Sequence, residues 1–455
     1  MESLVIVIFV LGYLAITVEH TLKIDKLIPA LGMMAIIWAI ISLGHLDVFN
    51  VDTALHKLVP THVEEILLHH LGKTSEILVF LIGAMTIVEI IDYFDGFSTI
   101  KGFVKTKSKV RLLWIFAILA FILSAIIDNL TATIVLITIL RKIINKREDR
   151  LWFAGMIIIA ANSGGAWSPI GDVTTTMLWI GNKVTTVNLI KYLFIPSLLS
   201  VIVPVLIASR LKAFQGDIET VEDENMGASD KYSSTMLYLG LSAIMFVPVF
   251  KTVTHLPPYV GMMLSLAVVA IFAEIFSNAR ISLTSVDEES EEAAHFSPVH
   301  KSLAGIEMPS ILFFLGILLA VAGLESLGLL FHFAEGLNET IPMLGTEMAE
   351  VGDGIPVSDL VVLILGVGSA VIDNVPLVAA SIGMFSEPTD HQLWHFIAFA
   401  AGTGGSMLII GSAAGVVAMG MEKINFFWYL KKISWLALIG FLTGSFSFMF
   451  LRTVF

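Results

Sequence analysis

The chain contains no cysteine in 455 residues. Disulfides, thiolate metal sites and cysteine nucleophiles are therefore excluded. Charge is also scarce. Only 14% of the residues are Asp, Glu, Lys or Arg, against 56% hydrophobic, and mean hydropathy is +0.88. A soluble protein of this size needs far more polar surface. The short alternating strands that a membrane barrel requires are missing. HExxH, GxSxG and comparable nucleophile arrangements are missing too, so no motif points to an enzyme. With a net charge of −13, nothing points to nucleic-acid binding either.

Long apolar runs remain, and they recur from end to end at near bilayer-spanning length. The fold class they predict is an all-α polytopic membrane protein. It has about ten transmembrane spans, near 3–18, 27–43, 76–93, 153–180, 190–209, 235–251, 259–276, 309–333, 393–421 and 433–451. The first run has no basic residue before it and no small-residue cleavage site, so it reads as a retained span. Acidic stretches at 217–230, 287–292 and 335–359 read as solvated connectors.

Two further apolar segments, 112–140 and 357–385, carry Asp-Asn pairs: "SAIIDNLTATIV" at 124–135 and "SAVIDNVPLVAA" at 369–380. Both flanks of the first are basic, with Lys101, Lys105, Lys107, Lys109 and Arg111 before it and Arg141, Lys142, Lys146, Arg147 and Arg150 after it. The positive-inside rule puts both flanks in the cytoplasm. The segment is too short to cross twice, which takes about 40 residues. It is predicted to be a re-entrant hairpin with its tip near "DNLT". Around the second segment, 334–356 and 386–392 contain no Lys or Arg. Both of its flanks read as outside, so this hairpin dips in from the opposite face. Both termini then lie outside, and Lys57, Lys73, Lys183, Lys251 and Arg452 are exceptions on the outer side.

Each hairpin is followed by an interrupted span, "ANSGGAWSPIGDVTTTM" (161–177) and "AGTGGSMLIIGSAAGVV" (401–417). Gly164, Gly165 and Gly171 match Gly404, Gly405 and Gly411 at identical spacing. Glycines, small polar residues and Pro169 in mid-span predict helices with an unwound centre. "VNLIKYLF" (187–194) and "INFFWYLK" (424–431) then open the last span of each half. Opposite hairpin entry makes the repeat inverted, the pattern of a secondary transporter with a midplane site.

An aspartate in mid-membrane costs roughly 2.5–3.5 kcal/mol on insertion scales, so something must compensate. Asp128, Asn129 and Thr131 offer side-chain oxygens at the first hairpin tip. Asn162, Ser163, Asp172 and Thr174 offer more on the first interrupted span. The set is all oxygen with two carboxylates, which suits a hard cation, with Na+ at Asp128, Asn129 and Asp172. A carboxylate withdrawn from water is relieved by a proton or by a metal ion, and competition between the two gives exchange without covalent chemistry. The second half is poorer in ligands: Ser412 stands where Asp172 does, and Pro376 where Thr131 does. Asp373 and Asn374 with Thr403, Ser406 and Ser412 form a second site, carry the proton, or brace the structure. Glu89 in span 76–93 and Glu325 in span 309–333 are candidates for a proton path. "THVEEILLHHLG" (61–72) reads as an amphipathic helix on the outer surface, opened by a Thr61–Glu64 capping box.

"AIIDNLTATIVL", "ANSGGAWSPIGDVTTTMLWI" and "AVIDNVPLVAA", in this order, resemble the NhaD family of bacterial sodium/proton antiporters, in the ion transporter superfamily. The resemblance covers nearly the whole chain. It implies a homodimer in the bacterial inner membrane, an elevator-type mechanism, and Na+ or Li+ efflux driven by proton entry, with no cofactor. Carboxylate carriers of that superfamily have Ser-Asn-Thr at the hairpin tips. Asp here in place of Ser favours cation/proton exchange over the alternative of a sodium-coupled carrier of dicarboxylate or arsenite. The implied division is 1–100 scaffold spans of the first repeat, 101–186 hairpin and broken helix in the transport domain, and 187–215 its final span. An acidic linker at 216–233 follows. The second repeat has scaffold spans at 234–356, a transport-domain hairpin and broken helix at 357–423, and a final span at 424–455.

Overall fold

Lipid offers no partner to a backbone N–H or C=O, so apolar sequence of this length must satisfy its own backbone as helix. The computed structural model describes residues 1–17, 24–52, 57–101, 106–218, 232–284, 297–330, 332, 359–371, 374–385 and 387–453. Besides a single turn at Ser98–Lys101, its helices are α1 (Glu2–Thr17), α2 (Leu27–Leu43), α3 (Val63–Tyr93), α4 (Lys109–Ile127), α5 (Asn129–Ile143), α6 (Arg147–Gly165), α7 (Val173–Ile180), α8 (Thr186–Ala208) and α9 (Ser233–Thr254). They continue with α10 (Pro258–Thr284), α11 (Pro298–Gly305), α12 (Met308–Ser326), α13 (Asp359–Gly368), α14 (Asn374–Met384), α15 (Gln392–Gly404), α16 (Ala413–Glu422), α17 (Phe426–Lys432) and α18 (Ser434–Leu451). Among the described residues, α3, α4, α8, α9, α10, α12 and α18 are long and apolar enough to cross a membrane.

Two local expectations change. Residues 61–72 do not form a separate surface helix. From Val63 on they open α3, a continuous helix of 31 residues. At about 1.5 Å per residue it is longer than a hydrocarbon core of about 30 Å. Ile66, His70 and Thr74 are buried along it, which ties the amphipathic stretch to the span instead of to the surface. The capping box does not form either. Thr61 Oγ1 meets Glu65 Oε2 at 3.2 Å. A short antiparallel hairpin, β1 (Val48–Asp52) with β2 (Lys57–Thr61), precedes α3 and was not anticipated.

The Asp-Asn segments double back. In the first, α4 ends at Asp128 (φ 86°, ψ 160°) and α5 begins at Asn129. Lys109 Nζ, at the start of α4, meets Asp149 Oδ1 at 2.8 Å. Arg141 Nε, near the end of α5, meets Glu422 Oε1 at 2.7 Å, and Arg150 Nε meets Glu422 Oε2 at 3.1 Å. Asp149 and Arg150 are neighbours at the start of α6. Both arms of the segment therefore end at one place.

In the second segment, Asp359 at the start of α13 binds Arg452 at the end of α18. Asp390, just past α14, accepts from Thr185 N and Oγ1 at 2.7 Å each and from Asn188 Nδ2 at 2.8 Å, at the start of α8. Burial raises the Asp390 pKa, but donors on His395, Thr185 and Asn188 outweigh it and hold the carboxyl below the ordinary range.

The pair α8 and α18 relates the two segments. Gly440 closes on Ser200 and Pro204, and Gly444 on Pro196, so these helices run antiparallel. The end of α18 thus lies beside the start of α8, where the second segment is anchored. Trp152, beside the first cluster, packs on Phe214 after α8 and on Trp428 before α18. The first segment is anchored at the opposite end.

Paired glycines let the interrupted helices seat on these segments. A methyl group at Gly164 would run into the carbonyl of Phe121, and one at Gly404 into the carbonyl of Gly366. Gly171 faces Ser124 and Ala125, and Gly411 faces Ser369 and Ala370, at equivalent positions. Backbone cannot yield as a side-chain tip can. Gly404→Ala is expected to destabilise by about 1–3 kcal/mol, read as a lower unfolding temperature of the detergent-purified protein.

The N-terminal helices pack elsewhere, with α2 against α12 and α3 against α10 and α12. Trp38 Nε1 donates to Leu319 O at 2.8 Å across the α2–α12 contact. Three basic exceptions on the predicted outer side also have partners. Lys251 donates to Trp179 O at 2.7 Å, Lys183 sits 4.5 Å from the Trp394 ring centroid, and Arg452 binds Asp359.

Candidate cation site

Both interrupted spans break where the sequence predicts. α6 stops at Gly165 and α7 resumes at Val173, while α15 stops at Gly404 and α16 resumes at Ala413. The restarts match. Asp172 (φ −151°, ψ 147°) caps α7 by accepting from Thr174 N, and Ser412 (φ −150°, ψ 153°) caps α16 by accepting from Gly415 N.

Asp172 is 2% exposed and lies at the centre of a polar cluster. Its Oδ1 accepts from Thr174 N at 2.8 Å and Thr174 Oγ1 at 2.7 Å. Its Oδ2 accepts from Asn129 Nδ2 at 2.5 Å and from Asn374 Nδ2 at 3.2 Å. Asn129 Nδ2 also reaches Asn162 Oδ1 at 3.0 Å, and Asn162 Nδ2 donates to Ser412 Oγ at 3.0 Å. Asp128 stands next to the cluster, half-buried. Its Oδ1 accepts from Thr131 N at 2.7 Å and its Oδ2 from Thr131 Oγ1 at 2.9 Å. Each described donor to the two carboxylates is an amide or a hydroxyl, and none is an ammonium or guanidinium. A set of carboxylate, amide and hydroxyl oxygens of this kind suits a hard cation.

Asn374 and Ser412 of the second half reach across into the first-half cluster. Thr403 and Ser406 turn to their own backbone, Thr403 Oγ1 to Phe399 O and Ser406 Oγ to Thr403 O, at 2.6 Å each. Residue Asp373 lies outside the described residues. Ser163 is buried on α6 one position past Asn162. Glu89 is half-buried on α3, where its carboxylate packs against Gly305, and Glu325 packs against Gly383 of α14. Neither belongs to the hydrogen-bonded cluster.

Other residues were missed by the sequence reading. Ser124 Oγ donates to Ala161 O at 2.5 Å, and Ser369 Oγ to Ala401 O at 2.7 Å, fastening each hairpin to its interrupted helix at matching positions. The shared "SA" four residues before each Asp was the available signal. Thr176 Oγ1 donates to Pro169 O at 3.0 Å, occupying a carbonyl freed by the break, and Thr175 Oγ1 donates to Asp172 O at 2.9 Å, which also accepts the first helical bond of α7 from Thr176 N. The threonine run of "DVTTTM" thus serves the unwound backbone as well as the carboxylate.

A family model described as "Citrate transporter" matches residues 6–395. The chain belongs to this transporter family. It is 41% identical over 443 residues to "Sodium/proton antiporter 1" of Arabidopsis thaliana, covering 96% of this chain and 70% of that one. It is 31% identical over 445 residues to "Na(+)/H(+) antiporter NhaD" of Vibrio cholerae, covering 94% and 87%. The crystal structure of the YdaH transporter of Alcanivorax borkumensis shares the fold, with a TM-score of 0.52 at 14% identity over 93% of this chain and 95% of that one. Family membership and the apolar helices make the chain a multi-pass membrane transporter, not an enzyme.

Proposed function

We propose that this transporter exchanges Na+ or Li+ for H+, with the cation and the proton competing at Asp128 and Asp172. The observation that carries the reading is the Asp172 cluster: two neighbouring carboxylates ringed by Asn129, Asn162, Thr174, Asn374 and Ser412 where two hairpin tips meet two helix breaks. Relatives named sodium/proton antiporters support the same chemistry. A citrate anion would meet the Asp128 and Asp172 carboxylates there, so the anion carrier is the weaker alternative.

In this reading the two halves form an inverted repeat, supported by the anchoring of the hairpins at opposite ends of the α8–α18 pair. The hairpins and interrupted helices are one transport body, moving elevator-fashion against a scaffold of α1–α3 and α9–α12. A homodimer, a bacterial inner-membrane location with both termini outside, and the absence of any cofactor complete the proposal. Cation binding displaces protons on one side, and protons displace the cation on the other. Glu89 and Glu325 lie on the scaffold side as candidate proton relays.

Everted vesicles from cells lacking their own antiporters test it. With an acidic interior, added sodium or lithium alkalinises the lumen if the reading holds. Uptake of citrate without proton release would replace it with the anion carrier. One-for-one competition also sets the pH dependence. While the proton occupies the site, the sodium concentration for half-maximal response rises about tenfold for each unit of pH lowered. A sodium requirement that does not move with pH would rule out a shared seat.

A further inference from the structure

We propose that the lateral face between α4, α8 and α9 holds one phospholipid acyl chain in a defined seat against the first helix break. A cavity of about 560 Å³ lies there, lined by Trp114, Phe121, Ile122, Trp167, Phe194 and Met245 among others. Small-molecule sites span roughly 300–1,000 Å³, so the space is large enough for an acyl chain.

The wall is hydrocarbon. Its inner end is built from residues 167–170 of the unwound stretch, where Ser168 Oγ and Pro169 O have partners and the buried Trp167 Nε1 has none. Ser168 Oγ accepts from Ile170 N at 3.4 Å, and Pro169 O accepts from Thr176 Oγ1 at 3.0 Å. The indole Nε1 of Trp167 is itself buried, so the ring turns carbon toward the cavity. Trp167 stacks on Phe121 at 5.8 Å and meets Phe194 edge-on at 5.0 Å, which gives the inner wall a rigid aromatic surface.

The bilayer itself is the source of the occupant. α4, α8 and α9 are all long and apolar enough to span the membrane. Ile118, Ile122, Phe194 and Met245 at the cavity are also exposed at the protein surface, by 52%, 49%, 39% and 54%. The cavity is thus continuous with lipid-facing surface. Left empty, it would forfeit the dispersion contacts of its lining. Its position adds a consequence: residues 168–170 line the seat, and Asp172 of the cation cluster follows two residues on. The seat stands independently of which ion the transporter carries.

Photolabelling of the reconstituted full chain decides the matter. The probe is phosphatidylcholine with a diazirine at mid-chain, followed by exchange into unlabelled lipid before irradiation and mapping by mass spectrometry. Label retained at Ile122 and Phe194, with loss at the exposed Phe272 and Phe446 outside the cavity, is the expected result. Washout at the same rate everywhere would overturn the seat. Ile122→Trp, which fills the mouth, is expected to cut retained label at Phe194 at least fivefold. Ile118→Trp provides the same reading if the first variant does not fold. Undiminished retention in a folded filling variant would also overturn the proposal.

Discussion

Asp172→Asn is expected to reduce sodium-dependent proton release in everted vesicles by about a hundredfold or more. The carboxylate supplies both the charge for the cation and the seat for the proton, and hydrogen bonds to a charged group are worth about 1.5–3 kcal/mol each. The amide is also wrong in shape. Asp172 receives donors at both oxygens, from Thr174 on one and from Asn129 and Asn374 on the other. An asparagine there turns an NH2 toward another donor whichever way it is flipped. Stability should therefore fall by about 1–3 kcal/mol as well, measured by thermal unfolding in detergent. Asp128→Asn separates the two effects. One of its partners is the Thr131 hydroxyl, which can rotate to accept instead of donate. That variant should lose exchange while keeping a near-native unfolding temperature. Full exchange in both variants would remove the site assignment.

Arg452→Ala is expected to be the most destabilising single change among the ion pairs. Arg452 and Asp359 are 5% and 2% exposed at their side chains, and Arg452 Nη1 donates to Asp359 Oδ1 at 2.6 Å, with a second contact from Nη2 to Oδ2. The pair joins the start of α13 to the end of α18, across 93 residues. Removing one member takes this ion-pair contact from a buried charge, which typically costs about 3–5 kcal/mol. Loss of folded protein in detergent, measured by size-exclusion chromatography after heating, is the readout. Arg452→Ala with Asp359→Ala should recover part of the loss, because neither charge of the pair remains. A single variant as stable as the parent would show that the pair contributes nothing to holding the second hairpin.

Much of the fold was legible because lipid is an exacting solvent. Spans follow from run length, since an unsatisfied peptide group in hydrocarbon is too costly to tolerate. The breaks at 166–172 and 405–412 follow from glycines and polar residues that helices in lipid rarely carry. The doubling back of 112–140 follows from basic residues on both flanks, and Lys109 and Arg141 do meet one cluster around Asp149, Arg150 and Glu422. The surface helix at 61–72 was misread because its amphipathic pattern is also that of a helix end emerging from a membrane. Only packing against its neighbours separates the two.

The sequence by itself determined where long apolar helices run, where they break, and which segments carry carboxylates, because each depends on the local cost of polar groups in an apolar medium. The tertiary structure alone decided which side chains share a site. Asn374 reaches Asp172 from 202 residues away, and Asn162 reaches Ser412 from 250. No local cost encodes such a meeting. It depends on how closely two hairpins and two interrupted helices approach, and glycines that let backbone lie on backbone set that distance.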